Sequence, residues 1–204
     1  MRLPETKQER SALSTGKLLD AAAELIAEVG YERMTLAAIG QRAGYSHGLV
    51  TARFGSKEGL LWALVERMVD AWQIDVETMG EPPSASDSLH ALLRGMRQSW
   101  SRHPKHMQAL YGLMFEALLP IPLLNERMRE LHRKLRDDIE QVLRRDIDKG
   151  VLPDDLDVLR VARLVVGGIR GAIYQTMLDP KKVTISTALS DVESLVDALI
   201  PAQR

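Results

Sequence analysis

The sequence predicts an all-α chain of about nine helices, in which an N-terminal three-helix unit built around a helix-turn-helix precedes a larger helical bundle. Three observations predict it. Apolar residues recur at spacings of three and four along almost the whole chain, the period of one helix face. Glycines, prolines and small hydroxyl residues stand where helices of that period would begin and end. Charge is also unevenly spread: from Arg33 to Lys57 there is no Asp or Glu, while Arg33, Arg42, Arg53 and Lys57 surround His47. Residues 58–204 carry 19 Lys and Arg against 22 Asp and Glu. A basic patch on a mildly acidic chain points to an oriented contact with a polyanion, against the plainer account of a chance gap in acids on a solvated face.

Each element follows in order. Leu18, Leu19, Ala22, Leu25, Ile26 and Val29 share the face of a first helix, and Gly30 stands where a C-terminal glycine would end it. Thr35 caps a short second helix to Ala43, with Leu36 and Ile39 inward, and Gly44 supplies the tight turn. Ser46 caps a third helix that seats Leu49 or Val50 and Phe54 and ends near Gly55. Ser56 caps a fourth reaching about Met79. Glu81-Pro82-Pro83-Ser84-Ala85-Ser86 reads as a linker, because its prolines break both period and backbone hydrogen bonding. Helical period then resumes over Asp87 to Ser101, Pro104 to Leu118, Pro122 to Lys149, Asp154 to Leu178 and Thr184 to Leu199, with no strand or repeat. Two domains are expected, 12–60 with the helix-turn-helix at 35–54, and 61–204 for ligand sensing and dimerisation.

Composition narrows the function classes. With 204 residues and 45% hydrophobic content the chain can fill a core. The absence of cysteine excludes disulfides, thiol nucleophiles and thiolate metal sites. No stretch has the length of apolar residues that a membrane span needs, and Met1 to Arg10 lacks an apolar leader core, so a soluble cytoplasmic protein with no membrane partner is expected. No cofactor is expected either.

The functional segment is 35–54. A helix-turn-helix needs a small residue where its helices cross and a glycine-compatible turn, and Gly40 and Gly44 meet both needs. Ile39, Tyr45, Val50 and Phe54 can seat the second helix of the pair, leaving His47, Gly48, Thr51 and Ala52 for a major groove. Helix N-termini at Thr35, Ser46 and Lys57 offer amides to phosphate oxygens.

The run Thr35-Leu36-Ala37-Ala38-Ile39-Gly40-Gln41-Arg42-Ala43-Gly44-Tyr45-Ser46-His47-Gly48, followed by Phe54-Gly55-Ser56-Lys57-Glu58-Gly59-Leu60-Leu61, resembles the TetR family of bacterial regulators, specifically over Lys17 to Met68. The resemblance implies a homodimeric repressor on an inverted-repeat operator in double-stranded DNA, released by a small-molecule effector whose identity is open. It places Thr35, Arg42, Tyr45, Ser46, His47, Gly48, Leu49, Thr51, Arg53 and Lys57 at the DNA, with Lys57 on the family's phosphate-binding lysine position. Two positions depart from the pattern. Thr51 stands where the family commonly has a phosphate-binding tyrosine, and Gly40 replaces an alanine, at about 1 kcal/mol of helix propensity.

Rival readings use some of the same residues. Gly44-Tyr45-Ser46-His47-Gly48 satisfies the G-x-S-x-G nucleophile elbow of a serine hydrolase, but an elbow serine follows a buried strand, and Thr35 to Ala43 has helical spacing. His103 and His106 could share a metal, yet Pro104 puts His103 at a helix entrance and no third ligand stands at a suitable spacing. Neither a catalytic nor a metal site is expected. A helical ligand-binding protein with weak or lost DNA recognition is the alternative, with Thr51 its first clue.

Behind the helix-turn-helix, Met107, Tyr111, Met114 and Phe115, with Trp62 and Trp100, could line an effector cavity, with Glu116 as a polar anchor; plain core is the bland account. Val161 to Leu178 is apolar almost all round. Val166, Gly167, Ile169, Arg170 and Ile173, with Leu189, Val192 and Val196 of the last helix, are expected at a four-helix dimer interface, as the family resemblance also implies. A monomer core is the other reading of the same pattern.

Overall fold

A computed structural model describes residues 6–77, 82–118 and 122–200. Among these it has nine helices and no strand: α1 (Lys7–Arg33), α2 (Leu36–Ala43), α3 (His47–Phe54), α4 (Lys57–Glu77), α5 (Ala85–Arg102), α6 (Pro104–Glu116), α7 (Pro122–Asp148), α8 (Val158–Leu178) and α9 (Ile185–Leu199). Met79 and Glu81, used above as boundaries, lie outside the described residues.

Helix α1 begins earlier than its apolar stripe suggests. Thr6 and Glu9 form a reciprocal cap, in which the Glu9 N–H donates to Thr6 Oγ1 at 3.1 Å and the Thr6 N–H to Glu9 Oε2 at 2.9 Å. Helical geometry breaks at Gly30, as expected. With φ 78° and ψ 165° it kinks the helix, which continues for one turn to Arg33. The kink leaves the Tyr31 N–H without a helical acceptor, and both carboxylate oxygens of Glu116 on α6 lie 3.3 Å from that nitrogen. A Cβ on residue 30 would stand 2.9 Å from Glu116 Oε1, so glycine meets both the backbone angle and the close approach.

The chain divides into two compact units. One comprises residues 1–71 with 103–123, the other 72–102 with 124–204. The boundary expected at residue 60 falls inside α4, and α6, expected with the sensor domain, packs on α1 in the first unit. Leu18, Ala22, Ile39, Val50, Leu60, Leu64, Ala109 and Leu113 are wholly buried there. The second unit packs α8 on α9 and α9 on α5. The carboxylate of Asp146 on α7 is buried and accepts the first amide of α5, Ala85 N–H, at 2.6 Å.

Burial corrects the expected dimer residues. Val166, Ile169, Ile173, Leu189, Val192 and Val196 are buried within the single chain, on helices that pack on each other. Arg170 is half-buried and Gly167 exposed. The outward face of α8 carries Leu164, Gly167, Gly171, Tyr174 and Leu178 instead, and a Cβ on either glycine would meet nothing within 4 Å. The excess apolar content of this helix is therefore divided between two faces, one serving the protomer's own core and one turned away from it.

Candidate nucleic-acid interface

Three short-range caps build the site. Thr35 Oγ1 accepts from Ala38 N–H at 3.1 Å, Ser46 Oγ from Leu49 N–H at 3.2 Å and Ser56 Oγ from Gly59 N–H at 3.1 Å. Each starts a helix whose remaining first-turn amides lack intrahelical partners and carry the positive end of the dipole. Between α2 and α3, Gly44 adopts φ 78° and ψ 30°, and the Tyr45 N–H turns back to Gly40 O at 2.8 Å. A Cβ on Gly40 would lie 2.9 Å from Tyr45 O and 3.2 Å from Val50 Cγ2, so the two helices cross with no room for a methyl group.

Helix α3 is seated by Val50, which is fully buried, with Leu49, Phe54 and Tyr45 half-buried beside it. His47, Gly48, Thr51 and Ala52 are exposed. The Thr51 hydroxyl donates to His47 O at 3.2 Å, and its oxygen lies 3.5 Å from His47 Nε2. With its proton engaged on the helix backbone, Thr51 offers outward a methyl group and an acceptor lone pair.

The cations of the acid-free window all have partners in the chain. Arg42 reaches Glu28 at 2.8 Å and Glu24 at 3.6 Å on α1, and that hydrogen bond holds the Glu28 carboxyl below its usual range. Arg33 Nε donates to Val29 O at 2.9 Å. Lys57 donates to Glu32 O at 2.9 Å, and its ammonium stands 4.3 Å from the centre of the Tyr31 ring. An ammonium has three protons, so this leaves Lys57 two for a phosphate. Burial first, then Glu58, Glu32 and Glu116, pushes the Tyr31 hydroxyl up to about 12, and the ring below Lys57 stays neutral. Arg53 Nη1 donates to Ser11 O and Ser11 Oγ, each at 2.8 Å, and to Thr15 Oγ1; Nη2 donates to Ser14 Oγ at 3.3 Å.

Sequence reasoning missed Tyr31, the Ser11–Ser14–Thr15 cluster and the Asp20–Arg67–His106 group. The T-x-x-E pattern at Thr6 would have shown that α1 reaches back far enough to carry the hydroxyl cluster. Asp20 Oδ1 receives Arg67 Nη2 at 2.8 Å and lies 3.0 Å from His106 Nε2, which joins α1, α4 and α6.

Ser46 follows a helix and a turn, not a strand, and its Oγ serves as the α3 cap, which is not the context of a nucleophile elbow. Of the expected cavity residues, Tyr111 is buried, Met107, Met114 and Phe115 are half-buried on α6, and Trp62 on α4 is 45% exposed. Trp100 belongs to the other unit. Glu116, expected as a ligand anchor, holds the α1 kink.

Two family models match the chain. Residues 18–64 match bacterial regulatory proteins of the TetR family, and residues 114–201 match the C-terminal part of BetI-type transcriptional repressors. The fatty acid metabolism regulator protein of Bacillus subtilis is 25% identical over 192 residues, covering 90% of this chain and 94% of that one. The HTH-type transcriptional regulator SrpR of Pseudomonas putida is 26% identical over 183 residues, covering 88% and 84%. Among solved structures, a complex of SmeT with triclosan superposes with a TM-score of 0.77 at 25% identity, covering 94% of this chain and 92% of that one. SmeT is described as the repressor of a Stenotrophomonas maltophilia multidrug efflux pump.

Proposed function

The chain belongs to the TetR family of bacterial regulators, and we propose that it is a homodimeric repressor held on an inverted-repeat operator by α3 and released by an apolar small-molecule effector. The observation that carries the reading is α3 itself. It is short, capped by Ser46, seated by one fully buried residue, and exposes His47, Gly48, Thr51 and Ala52 along one face. His47 can donate to or accept from a base edge, and the Thr51 methyl fits the C5-methyl of thymine. The N-termini of α2, α3 and α4, with Lys57, grip the backbone on either side.

Supporting an apolar effector are the methionine and aromatic side chains of α6, the fatty-acid regulator among the relatives and the triclosan held by SmeT. Helix α6 holds α1 through Glu116 and His106, so an effector that shifts α6 disturbs the helix to which the helix-turn-helix is attached. The dimer forms through the outward face of α8, where Gly167 and Gly171 admit a close helix and Leu164, Tyr174 and Leu178 supply apolar surface. No helix among the described residues is long and apolar enough to cross a membrane.

Lys57→Ala tests the docking. Its affinity for a duplex selected by the wild type should fall, and the slope of log affinity against log salt should shallow by about 0.9 for each phosphate that the variant no longer neutralises. An unchanged slope takes Lys57 off the DNA.

A further inference from the structure

We propose that Arg53 is a positioning residue, whose guanidinium clasps the first turns of α1 to the C-terminal end of α3 and so sets the angle at which α3 meets DNA. The inference rests on the DNA-binding reading. Arg53 lies inside the basic stretch and reads by charge alone as a phosphate ligand, but its geometry is that of an internal tie.

Ser11, Ser14 and Thr15 lie at i, i+3 and i+4 on α1, so their hydroxyls share one helix face. Arg53 donates to all three and to the Ser11 carbonyl, across 38 to 42 residues of sequence. A guanidinium is planar and its donors are fixed in a fork, so four acceptors on one face define the orientation of the side chain as well as its position.

The partners differ in kind from those of Arg42. Glu24 and Glu28 are carboxylates at the surface that balance the charge of Arg42. The acceptors of Arg53 are neutral, and Ser14 is only 7% exposed while donating its own proton to Ser11 O at 2.9 Å. Drawing Arg53 away to a phosphate would take its N–H groups from all three hydroxyl oxygens, the buried one of Ser14 included.

Both elements need the tie. The first turns of α1 have little apolar anchorage, since Gln8, Glu9, Arg10, Ala12 and Leu13 are exposed, Leu13 by 54%. Helix α3 has eight residues and Val50 as its only fully buried one, with Leu49 and Phe54 half-buried beside it, so its apolar seating is shallow. Arg53, one residue from the C-terminal end of α3, supplies a second fixed point. A rigidly held recognition helix discriminates operator from random DNA, whereas the charge-driven affinity for any duplex depends on phosphate contacts alone.

The full-length protein, Arg53→Met, Arg53→Lys and the double variant Ser11→Ala with Thr15→Val are compared. The duplex is a wild-type-selected operator and, beside it, a random one, each titrated over a salt series; amide exchange is measured without DNA. The double variant keeps the cation and leaves buried Ser14 in place. Operator affinity should fall roughly tenfold in both Arg53→Met and the double variant, with random-duplex affinity and the salt slope unchanged. Exchange should quicken in residues 6–15 and 47–54 of both, and Arg53→Lys should restore little, because a point charge cannot span the four acceptors.

A phosphate ligand would behave otherwise. Arg53→Met would shallow the salt slope by about 0.9 per phosphate released, the double variant would bind as wild type, and Arg53→Lys would rescue. That pattern overturns the proposal, as does wild-type operator binding by both Arg53→Met and the double variant. Should the wild type select no sequence at all, the DNA-binding reading fails while the exchange measurement still decides whether the clasp holds α1 to α3.

Discussion

Gly40 shows how one atom decides the geometry of the helix-turn-helix. A methyl group there would stand 2.9 Å from a backbone carbonyl oxygen that belongs to the turn itself, so relief requires the turn to move. Alanine would gain about 1 kcal/mol of helix propensity and lose about 1–3 kcal/mol to overpacking, so Gly40→Ala should lower the melting temperature, by up to about 8 °C. A melting temperature at or above that of the wild type would mean that α2 and α3 can separate without cost. Sequence reasoning recognised the need for a small residue at position 40 but took the departure from alanine as a mild loss; the crossing distance makes glycine the better residue there. Side-chain partners were the least legible feature of the site. Charge pattern places Arg42, Arg53 and Lys57 in one basic stretch, but whether each cation faces outward depends on Glu28, Ser11 and Tyr31, which lie 14, 42 and 26 residues away in sequence. No local pattern encodes such distances.

Helices were legible because period, caps and prolines agree along nearly the whole chain. α2, α3, α6 and α9 begin beside Thr35, Ser46, His103 and Thr184, while α8, expected from Asp154, begins at Val158 behind the Asp157 cap. The miss at α1 has a physical cause, since its first three turns carry no apolar stripe and hold their place by polar contacts. Gly30 breaks the helical geometry as expected, but the further turn to Arg33 is not legible, because it starts at an amide that Glu116, 85 residues away, satisfies. Between α1, α4 and α6 the Asp20–Arg67–His106 group makes a pH prediction. Burial, with Arg67 and His103 adding to it against the opposing pull of Asp20, holds the His106 imidazole below its ordinary value of 6.5. The native state therefore binds this proton less readily than the unfolded chain, and the stability it confers is present above about pH 6.5 and lost as the pH falls through the native pKa. His106→Gln, which keeps a donor for Asp20, should lose less stability than the wild type between pH 7.5 and pH 5.5 in urea unfolding. Equal losses in the two proteins would remove His106 from the account.

At the scale of the molecule, the proposed function requires two copies of the chain. One short recognition helix meets too few bases to find a site in a genome, and two related by a two-fold axis multiply that discrimination. The outward face of α8 is suited to the pairing because its glycines allow backbone approach while its buried face is already satisfied within the protomer. The apolar excess of α8 is legible in the sequence, but a helix that is apolar all round does not declare which side faces its own core, and six of the residues expected at a partner are buried within the chain. Selection of bound duplexes from a random pool by the purified full-length protein, repeated with His47→Ala, tests the whole reading most directly. The account predicts an inverted repeat, with half-sites about 34 Å or a multiple apart along the helix axis, whose sequence changes inside each half-site when His47 is removed. Enrichment of no sequence by the wild type, or of a single unrepeated site that His47→Ala leaves untouched, would contradict it.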